Sequence, residues 1–286
     1  MNVEVFEQHR SRLTGIAYGM LGSFMDAEDV VQDAYLRWSD IDTSVVDNPA
    51  AFLTTITTRL AIDRLRSAQV RREQYVGPWL PEPIVTSFAP DPAEIVTEVE
   101  SLSMAVLTTL EKLNPVERAV LLLRDVFDYD YAEIADIVDK SPANCRQVAS
   151  RAREKAGNLS RVPSPPAQSE ADILERYVAA VTAGDVAGLA RIFADDVVLW
   201  SDGGGVARAA RHPLHGADRV ARHLVGVTPQ TPPGTEVRMV RVNGEPSLMG
   251  VLDGNAIGVI TFEIREGLIT AVRASLNPDK LAHIAT

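Results

Sequence analysis

Side chains that can read DNA bases are concentrated between residues 143 and 153. In the major groove the guanidinium of arginine pairs with guanine, and the amide of asparagine or glutamine pairs with adenine. On a helix, the apolar residues of this stretch would share one face and leave the polar ones on the other. That outward set consists of Ala143, Asn144, Arg146, Gln147, Ser150, Arg151 and Arg153. The spacing predicts a helix that contacts DNA, although a helix with a solvated basic face has the same pattern.

Two short helices joined by a tight turn would hold this set in place. Asp130 followed by Glu133 has the spacing of a capping box, in which each side chain satisfies a free amide of the first helical turn. Ser141 and Pro142 then supply an N-cap and a favourable first residue for the second helix. Asp139 would have to take the left-handed conformation at the turn. The pattern predicts a helix-turn-helix.

The first 77 residues predict a helical domain with two oppositely charged helices. One helix runs from Met25 to Trp38, and its acidic side carries Asp29, Gln32 and Asp33. The other begins at Asn48 and Pro49 and leads into arginines at positions 59, 64 and 66. From the residues alone, a generic helical bundle with solvated charges explains this region equally well.

Composition sets limits on the class of protein. The chain has 286 residues, 46% of them apolar, and a net charge of −11, so several packed domains are expected. It has neither an apolar run long enough to span a membrane nor a signal-peptide pattern, which predicts a cytoplasmic protein without a membrane partner. A single cysteine, Cys145, excludes an internal disulfide and a cysteine cluster for zinc. We predict no metal and no cofactor.

The basic residues are confined to two segments of this acidic chain. Residues 59–72 hold five arginines against one aspartate, and residues 144–161 hold five basic residues against one glutamate. Because DNA affinity depends on local positive charge, we expect weak DNA binding by the free chain and stronger binding once a partner holds it.

Proline-rich segments predict the domain boundaries. Residues 78–105 and 162–169 read as linkers, which separate domains at 1–77, 106–161 and 170–286. Trp79 is unusual in a linker, so we expect it to pack against another part of the chain.

The last domain changes from helical to strand-like periodicity. Helices are predicted over 171–183, 186–193 and 217–225, and strands over 197–201, 237–242, 247–252, 256–264 and 268–273. Asp253-Gly254 and Glu266-Gly267 have the composition of hairpin turns. We therefore predict two all-α domains followed by an α+β domain with a meandering antiparallel sheet.

Both helical domains resemble extracytoplasmic-function sigma factors of the sigma-70 family. The segments DAEDVVQDAYLRW at 26–38 and PAAFLTTITTRLAIDRLR at 49–66 resemble sigma region 2. The resemblance implies that Asp29, Gln32 and Asp33 dock on the beta-prime clamp helices of core RNA polymerase. It also implies that the basic helix and the loop at 41–48 recognise and open the minus-ten element, with Arg59, Arg64 and Arg66 as phosphate contacts.

The helix-turn-helix domain carries the second part of the resemblance. LNPVER at 113–118 and YAEIA at 131–135 resemble sigma region 4. In the family this region binds the minus-thirty-five element of promoter DNA and docks on the beta flap of the polymerase. The outward set of residues 143–153 would make the upstream promoter contacts.

The last domain resembles the SnoaL-like cone fold, with AGD at 183–185 and FADDV at 193–197. Three further motifs, WLPEP, WSDGGG and NPDKL, occur in sigma factors with this fused domain, called the sigma-J type. There the extra domain contacts the linker and regulates the sigma factor. The residues so implied are Trp79, Leu80, Pro81, Glu82, Pro83, Asp202, Gly203, Gly204, Gly205, Asn277, Pro278, Asp279, Lys280 and Leu281. Val206 departs from the subgroup, which usually has lysine there.

Two other functions remain open at this point. A stand-alone regulator could sense a small-molecule ligand in the pocket of the last domain, but it would leave the acidic docking residues without a role. An enzyme of the SnoaL type could use Asp202, His212, His215 or Asp253, although none of these forms an acid–base pair by spacing. We therefore predict a promoter-recognising sigma factor without catalytic residues of its own.

Overall fold

The computed structural model describes residues 2–42, 46–72, 74–87, 102–156 and 167–284. The chain forms two compact units, one of residues 1–74 and 95–161 and one of residues 75–94 and 162–286. The start of the predicted linker therefore belongs to the same unit as the last domain. Residues 43–45 of the loop at 41–48, the acidic linker stretch after residue 87 and residues 162–166 of the second linker lie outside the described residues.

The described part of the first unit is helical. Its helices are α1 (Asn2–Leu21), α2 (Phe24–Ser39), α3 (Pro49–Arg72), α4 (Met104–Leu110), α5 (Pro115–Asp125), α6 (Tyr131–Val138) and α7 (Pro142–Ala156). Helix α4 starts inside the segment predicted as the first linker. Fully buried aromatic and aliphatic side chains form the core, among them Phe6, Tyr18, Trp38, Leu53 and Leu122.

Local capping explains where the helix-turn-helix begins and turns. Asp130 accepts hydrogen bonds from the amides of Ala132 and Glu133, and the Glu133 side chain accepts one from the amide of Asp130. Asp139 ends α6 with φ 54° and ψ 59°, the left-handed conformation predicted for it. The Ser141 hydroxyl caps α7 by accepting from the amide of Asn144 at 3.2 Å. Cys145, Val148, Ala149 and Ala152 are buried beneath α7 as predicted.

The second unit is an α+β domain. Its helices are α8 (Ala167–Ala183), α9 (Val186–Ala190), α10 (Ala217–Val227) and α11 (Pro278–Leu281), with a 3-10 turn at Thr228–Gln230. The strands are β1 (Val85–Ser87), β2 (Phe193–Asp202), β3 (Leu214–His215), β4 (Glu236–Val242), β5 (Glu245–Leu252), β6 (Asn255–Arg265) and β7 (Leu268–Ser275). They form one sheet in the order β1-β4-β5-β6-β7-β2-β3. Helices α8, α9 and α10 contribute Leu174, Leu189 and Val220 to a core shared with Phe262 and Val272 of the sheet.

Two sequence-based predictions about this domain are wrong. The helix predicted over 186–193 ends at Ala190, because Phe193 already begins the ten-residue strand β2. The sheet is not wholly antiparallel, since β2 runs parallel to β7 with Leu199 opposite Val272. The chain between these two strands contains β3, α10 and the β4–β6 meander, which provides the long crossover that a parallel pair needs.

The linker supplies a strand that sequence periodicity did not indicate. Val85 and Thr86 of β1 pair antiparallel with Val242 and Arg241 of β4 at one edge of the sheet. A three-residue strand after a proline-rich run is too short to show alternation.

Candidate nucleic-acid interface and linker clamp

Helix α7 presents most of its predicted DNA-contacting set to solvent. Ala143, Asn144, Arg146, Gln147, Ser150 and Arg151 are all exposed. The guanidinium of Arg146 lies 5.4 Å from the ring centroid of Tyr131, and Arg124 lies 5.3 Å from the same ring. Cations over an aromatic face are attracted by its quadrupole, so Tyr131 orients both guanidinium groups.

Arg153 differs from the rest of the set because it is already paired. Its Nε and Nη2 donate to the Asp125 carboxylate at 2.9 and 2.5 Å. The hydrogen bond to Asp125 raises the pKa of Arg153 above its ordinary value. The structure therefore ties this side chain to α5, and a contact with DNA would have to compete with that ion pair.

The three predicted arginines of α3 have three different environments. Arg59 donates to the backbone oxygens of Ile137 and Asp136, both at 2.9 Å. Arg64 donates to Asp26 and Asp29 of α2, and the hydrogen bond to Asp26 raises the pKa of Arg64. Arg66 remains largely exposed beside Asp63, one helical turn away.

The predicted docking residues of α2 lie on an exposed face. Asp29, Gln32 and Asp33 are exposed, although Asp29 also pairs with Arg64. Met25 and Leu36 continue the same helical stripe, and their exposed fractions are 57% and 52%. Sequence reasoning missed this apolar extension, which the spacing 25, 29, 32 and 36 could have indicated.

In the second unit, a buried carboxylate holds the first part of the linker. Asp202 at the end of β2 has no exposed surface. Its Oδ1 accepts hydrogen bonds from the Tyr75 hydroxyl at 2.5 Å and the Gly204 amide at 3.1 Å. Its Oδ2 accepts from the Leu80 amide at 2.8 Å and from Nζ of Lys280 at 2.7 Å. We call Tyr75, Leu80, Asp202, Asn277 and Lys280 the linker clamp.

Lys280 makes four contacts in the clamp and with the linker. Its ammonium pairs with Asp202 and donates to the backbone oxygen of Leu80. It also lies 4.0 Å from the ring centroid of Trp79 and 5.1 Å from that of Tyr75. Trp79 is half-buried and Leu80 is fully buried. The linker tryptophan thus packs against the last domain through a cation–π contact.

Tyr75 is a clamp residue that the sequence did not reveal. Its hydroxyl donates to Asp202 and accepts from Nδ2 of Asn277 at 2.9 Å. Burial, followed by the hydrogen bond to the charged Asp202, raises the pKa of Tyr75 above its ordinary value. The phenol is therefore a stable donor at neutral pH. Because Tyr75 stands four residues before the WLPEP motif, no pattern marked it.

Further contacts hold the linker beyond the clamp. The Ile84 amide donates to the Asn243 side chain and the Asn243 amide donates to the Ile84 oxygen, both at 3.0 Å. His283 lies within hydrogen-bond distance, 3.0 Å, of the Pro83 oxygen. The other predicted regulatory residues vary in exposure: Pro81, Pro83, Gly203 and Leu281 are buried, Glu82 and Gly204 are half-buried, and Gly205, Pro278 and Asp279 are exposed.

Three family models match successive parts of the chain. Residues 5–71 match sigma-70 region 2, residues 103–155 match sigma-70 region 4, and residues 174–272 match a SnoaL-like domain. The chain is similar to the ECF RNA polymerase sigma factor SigJ of Mycobacterium tuberculosis, with 37% identity over 98% of this chain and 93% of that protein. The chain belongs to the extracytoplasmic-function sigma factors.

Two further comparisons agree with this family. The sigma factor is 30% identical to the probable ECF RNA polymerase sigma factor SigI of M. tuberculosis, over 96% of this chain and 92% of that protein. It also superimposes on the crystal structure of M. tuberculosis SigJ with a TM-score of 0.78 at 33% identity, covering 98% of both chains. The predicted family and fold class are confirmed.

Each residue considered for catalysis in this sigma factor lies either in the linker clamp or at the surface. Asp202 is engaged by four donors in the linker clamp. His212 and His215 are exposed, and Asp253 lies in an exposed hairpin turn with φ 50°. Within the described ranges, no three His, Cys, Asp or Glu side chains form a group that could hold a metal ion. None of the described helices is long and apolar enough to span a membrane.

Gly204→Ala is expected to loosen the clamp. Gly204 has φ 61°, and a Cβ there would lie 2.4 Å from Nδ2 of Asn277, which holds Tyr75. The backbone penalty and the clash together should cost about 1–3 kcal/mol. Thermal unfolding and limited proteolysis at residues 75–87 measure the effect. Gly254→Ala is the matched control, because Gly254 has φ 74° but a Cβ there would meet no atom within 4 Å outside its chain neighbours. Equal losses of stability in the two variants would contradict a clash between the added Cβ and Asn277.

Proposed function

We propose that this sigma factor recruits core RNA polymerase to promoters and starts transcription under the control of its own SnoaL-like domain. Helix α2 would dock on the polymerase, α3 would contact the minus-ten element and α7 the minus-thirty-five element. The linker clamp carries the regulatory part of the proposal, because it attaches the segment between the two DNA-reading regions to the last domain.

The exposed face of α2 supports docking on a helical partner. Asp29, Gln32 and Asp33 offer hydrogen-bond acceptors and charge, and Met25 and Leu36 add apolar surface at the two ends of the stripe. A face with apolar anchors and a polar centre suits the groove between two helices. This chemistry fits the beta-prime clamp helices that the family resemblance implies.

The exposed amides and guanidinium groups of α7 support duplex recognition. Arg146→Ala is expected to weaken binding to promoter duplex by about 1–3 kcal/mol, or roughly 5- to 150-fold in Kd, because a base-reading or phosphate contact is lost. Arg153→Ala should change Kd less than threefold, since its guanidinium is held by Asp125. The Kd values of the two variants are measured by fluorescence anisotropy, with each variant bound to core polymerase and the duplex carrying the label. Equal weakening would contradict the expectation that Arg146 contacts the duplex while Arg153 stays paired with Asp125.

Run-off transcription with purified core polymerase tests the proposed function itself. The full chain should support initiation from a promoter selected from random-sequence templates, and Gln32→Ala should reduce initiation without changing duplex binding by the free chain. Duplex binding without any transcription would favour a stand-alone regulator. Substrate turnover that depends on Asp202 or His215, with transcription unchanged, would favour an enzyme.

A further inference from the structure

Regions 2 and 4 are joined by polar contacts inside the first unit. Arg59 of α3 donates to the last carbonyls of α6, at Asp136 and Ile137. Arg12 of α1 donates to the Phe127 oxygen at 2.8 Å and to the Tyr129 hydroxyl at 3.1 Å. Together with a hydrogen bond between Thr54 and Tyr129 and one from Arg118 to the Met20 oxygen, these contacts form what we call the closed interface.

Arg59 has the same chemistry in this interface as in a complex with DNA. Two of its nitrogens reach two oxygens at 2.9 Å each, as a guanidinium fork does on a phosphate. The oxygens belong to the C-terminus of α6, where the helix dipole places partial negative charge. While Nε and Nη2 are held in this way, that edge of the guanidinium cannot also form a bidentate contact with a phosphate of the minus-ten region.

We propose that the C-terminus of α6 is an internal competitor of promoter DNA for Arg59. The closed interface and the contact of α3 with the melted strand then exclude each other, so the first unit must open before α3 can bind the strand. This inference rests on the proposed function, because it takes α3 as a promoter-contacting helix. It adds a specific residue and an inhibitory contact to that function.

The separation of the two promoter elements requires the same opening. Elements near minus ten and minus thirty-five are about 25 base pairs apart, which corresponds to about 85 Å of duplex. In the closed interface, a side chain of α3 touches the helix-turn-helix at 2.9 Å. About 30 residues separate the end of α3 from the start of α4, and a fully extended chain of that length reaches about 100 Å. The linker is therefore long enough for the open form.

Substitution of Tyr129 can weaken the closed interface while Arg59 itself is left unchanged. The Tyr129 hydroxyl accepts from Arg12 and lies 3.0 Å from the Thr54 hydroxyl, while its ring lies 5.0 Å from the Arg12 guanidinium. Tyr129→Phe removes the hydroxyl but keeps the ring. Thr54→Val removes the partner hydroxyl and keeps the side-chain volume. Each should shift the equilibrium toward the open form by about 2- to 10-fold.

The experiment uses the full chain with donor and acceptor dyes on Asp40→Cys and Lys140→Cys, which are exposed positions just after α2 and α6. The native Cys145 is buried and stays in place. The probe is a mixed-sequence single-stranded DNA of 15 nucleotides at low salt, since such binding depends mainly on phosphates and stacking. We expect energy transfer to fall as this DNA binds. Tyr129→Phe and Thr54→Val should lower transfer in the free chain and tighten DNA binding 2- to 10-fold.

Two arginine variants separate competition from general loss of charge. Arg66→Ala should weaken DNA binding and leave energy transfer unchanged, because the largely exposed Arg66 pairs with Asp63 of its own helix. Arg59→Ala should weaken DNA binding and lower transfer, and in its background Tyr129→Phe should no longer tighten binding. An unchanged DNA affinity in Tyr129→Phe despite lower transfer would overturn the proposal, as would an absence of DNA binding. A chain that still supports run-off transcription in that case would leave the proposed function standing.

Discussion

Lys280→Met is expected to release the linker from the SnoaL-like domain and to destabilise the second unit by about 3–5 kcal/mol. Asp202 has no exposed surface, and Lys280 provides its charged partner at 2.7 Å. Methionine preserves much of the side-chain volume but removes the ammonium. The carboxylate would keep only its neutral donors, and the Leu80 oxygen would lose a hydrogen bond. Trp79 would also lose the cation at 4.0 Å.

Denaturant unfolding and run-off transcription measure the two consequences of Lys280→Met. The unfolding free energy should fall by the stated amount, and proteolysis at residues 75–87 should become faster. Transcription should change by at least twofold, because the proposed control by the SnoaL-like domain requires the linker to be attached to it. Adding Asp202→Asn should restore part of the lost stability by removing the uncompensated charge. Arg222→Met, which breaks an exposed ion pair with Asp218, is the control and should leave all three measurements unchanged.

A loss of less than about 1 kcal/mol in Lys280→Met would contradict the buried clamp, since that is the range of exposed ion pairs. Normal proteolysis with altered transcription would mean that Lys280 contacts the transcription machinery directly. The two readouts together therefore distinguish a clamp from a binding residue.

Local sequence signals were sufficient wherever a structural feature depends on neighbouring residues. The capping box at Asp130 and Glu133 and the left-handed Asp139 follow from side-chain reach and backbone preference, and both features are observed. Apolar spacing likewise separated the buried face of α7 from its exposed face. These features need only one helical turn to be specified.

Features that depend on residues far apart in sequence could not be read in this way. Tyr75 reaches Asp202 across 127 positions, and Arg59 reaches Ile137 across 78. The family motifs indicated Asp202 and Lys280 as regulatory residues but did not show that one carboxylate collects four donors. The formation of β1 and the parallel pairing of β2 with β7 likewise depend on tertiary contacts, which local strand propensity does not determine.

Arg118→Met is expected to have a comparable effect on the first unit, a loss of about 3–5 kcal/mol. The Arg118 side chain is 1% exposed and lies between region 4 and region 2. Its Nε donates to the Leu110 oxygen at 3.0 Å, Nη1 donates to the Met20 oxygen at 2.8 Å, and Nη2 pairs with Glu111 at 2.8 Å. Methionine would remove the Arg118 donor from the buried Met20 oxygen and would leave the Leu110 oxygen with only the amide of Leu113. Glu111 would also lose one of its two cations, and an unmade buried hydrogen bond costs about 1–3 kcal/mol.

The partner of Arg118 on region 2 makes this prediction informative about the closed interface. Denaturant unfolding of the full chain measures the loss, and Arg10→Met is the control, because it breaks an exposed ion pair with Glu7 inside α1 of the same unit. The control should lose about 1 kcal/mol or less. If the Met20 contact exists only in the closed form, Arg118→Met should also lower energy transfer between Asp40→Cys and Lys140→Cys, whereas Arg10→Met should not. A stability loss with unchanged transfer would assign Arg118 to the interior of region 4 alone, and the closed interface would then depend on Arg59, Arg12 and Tyr129.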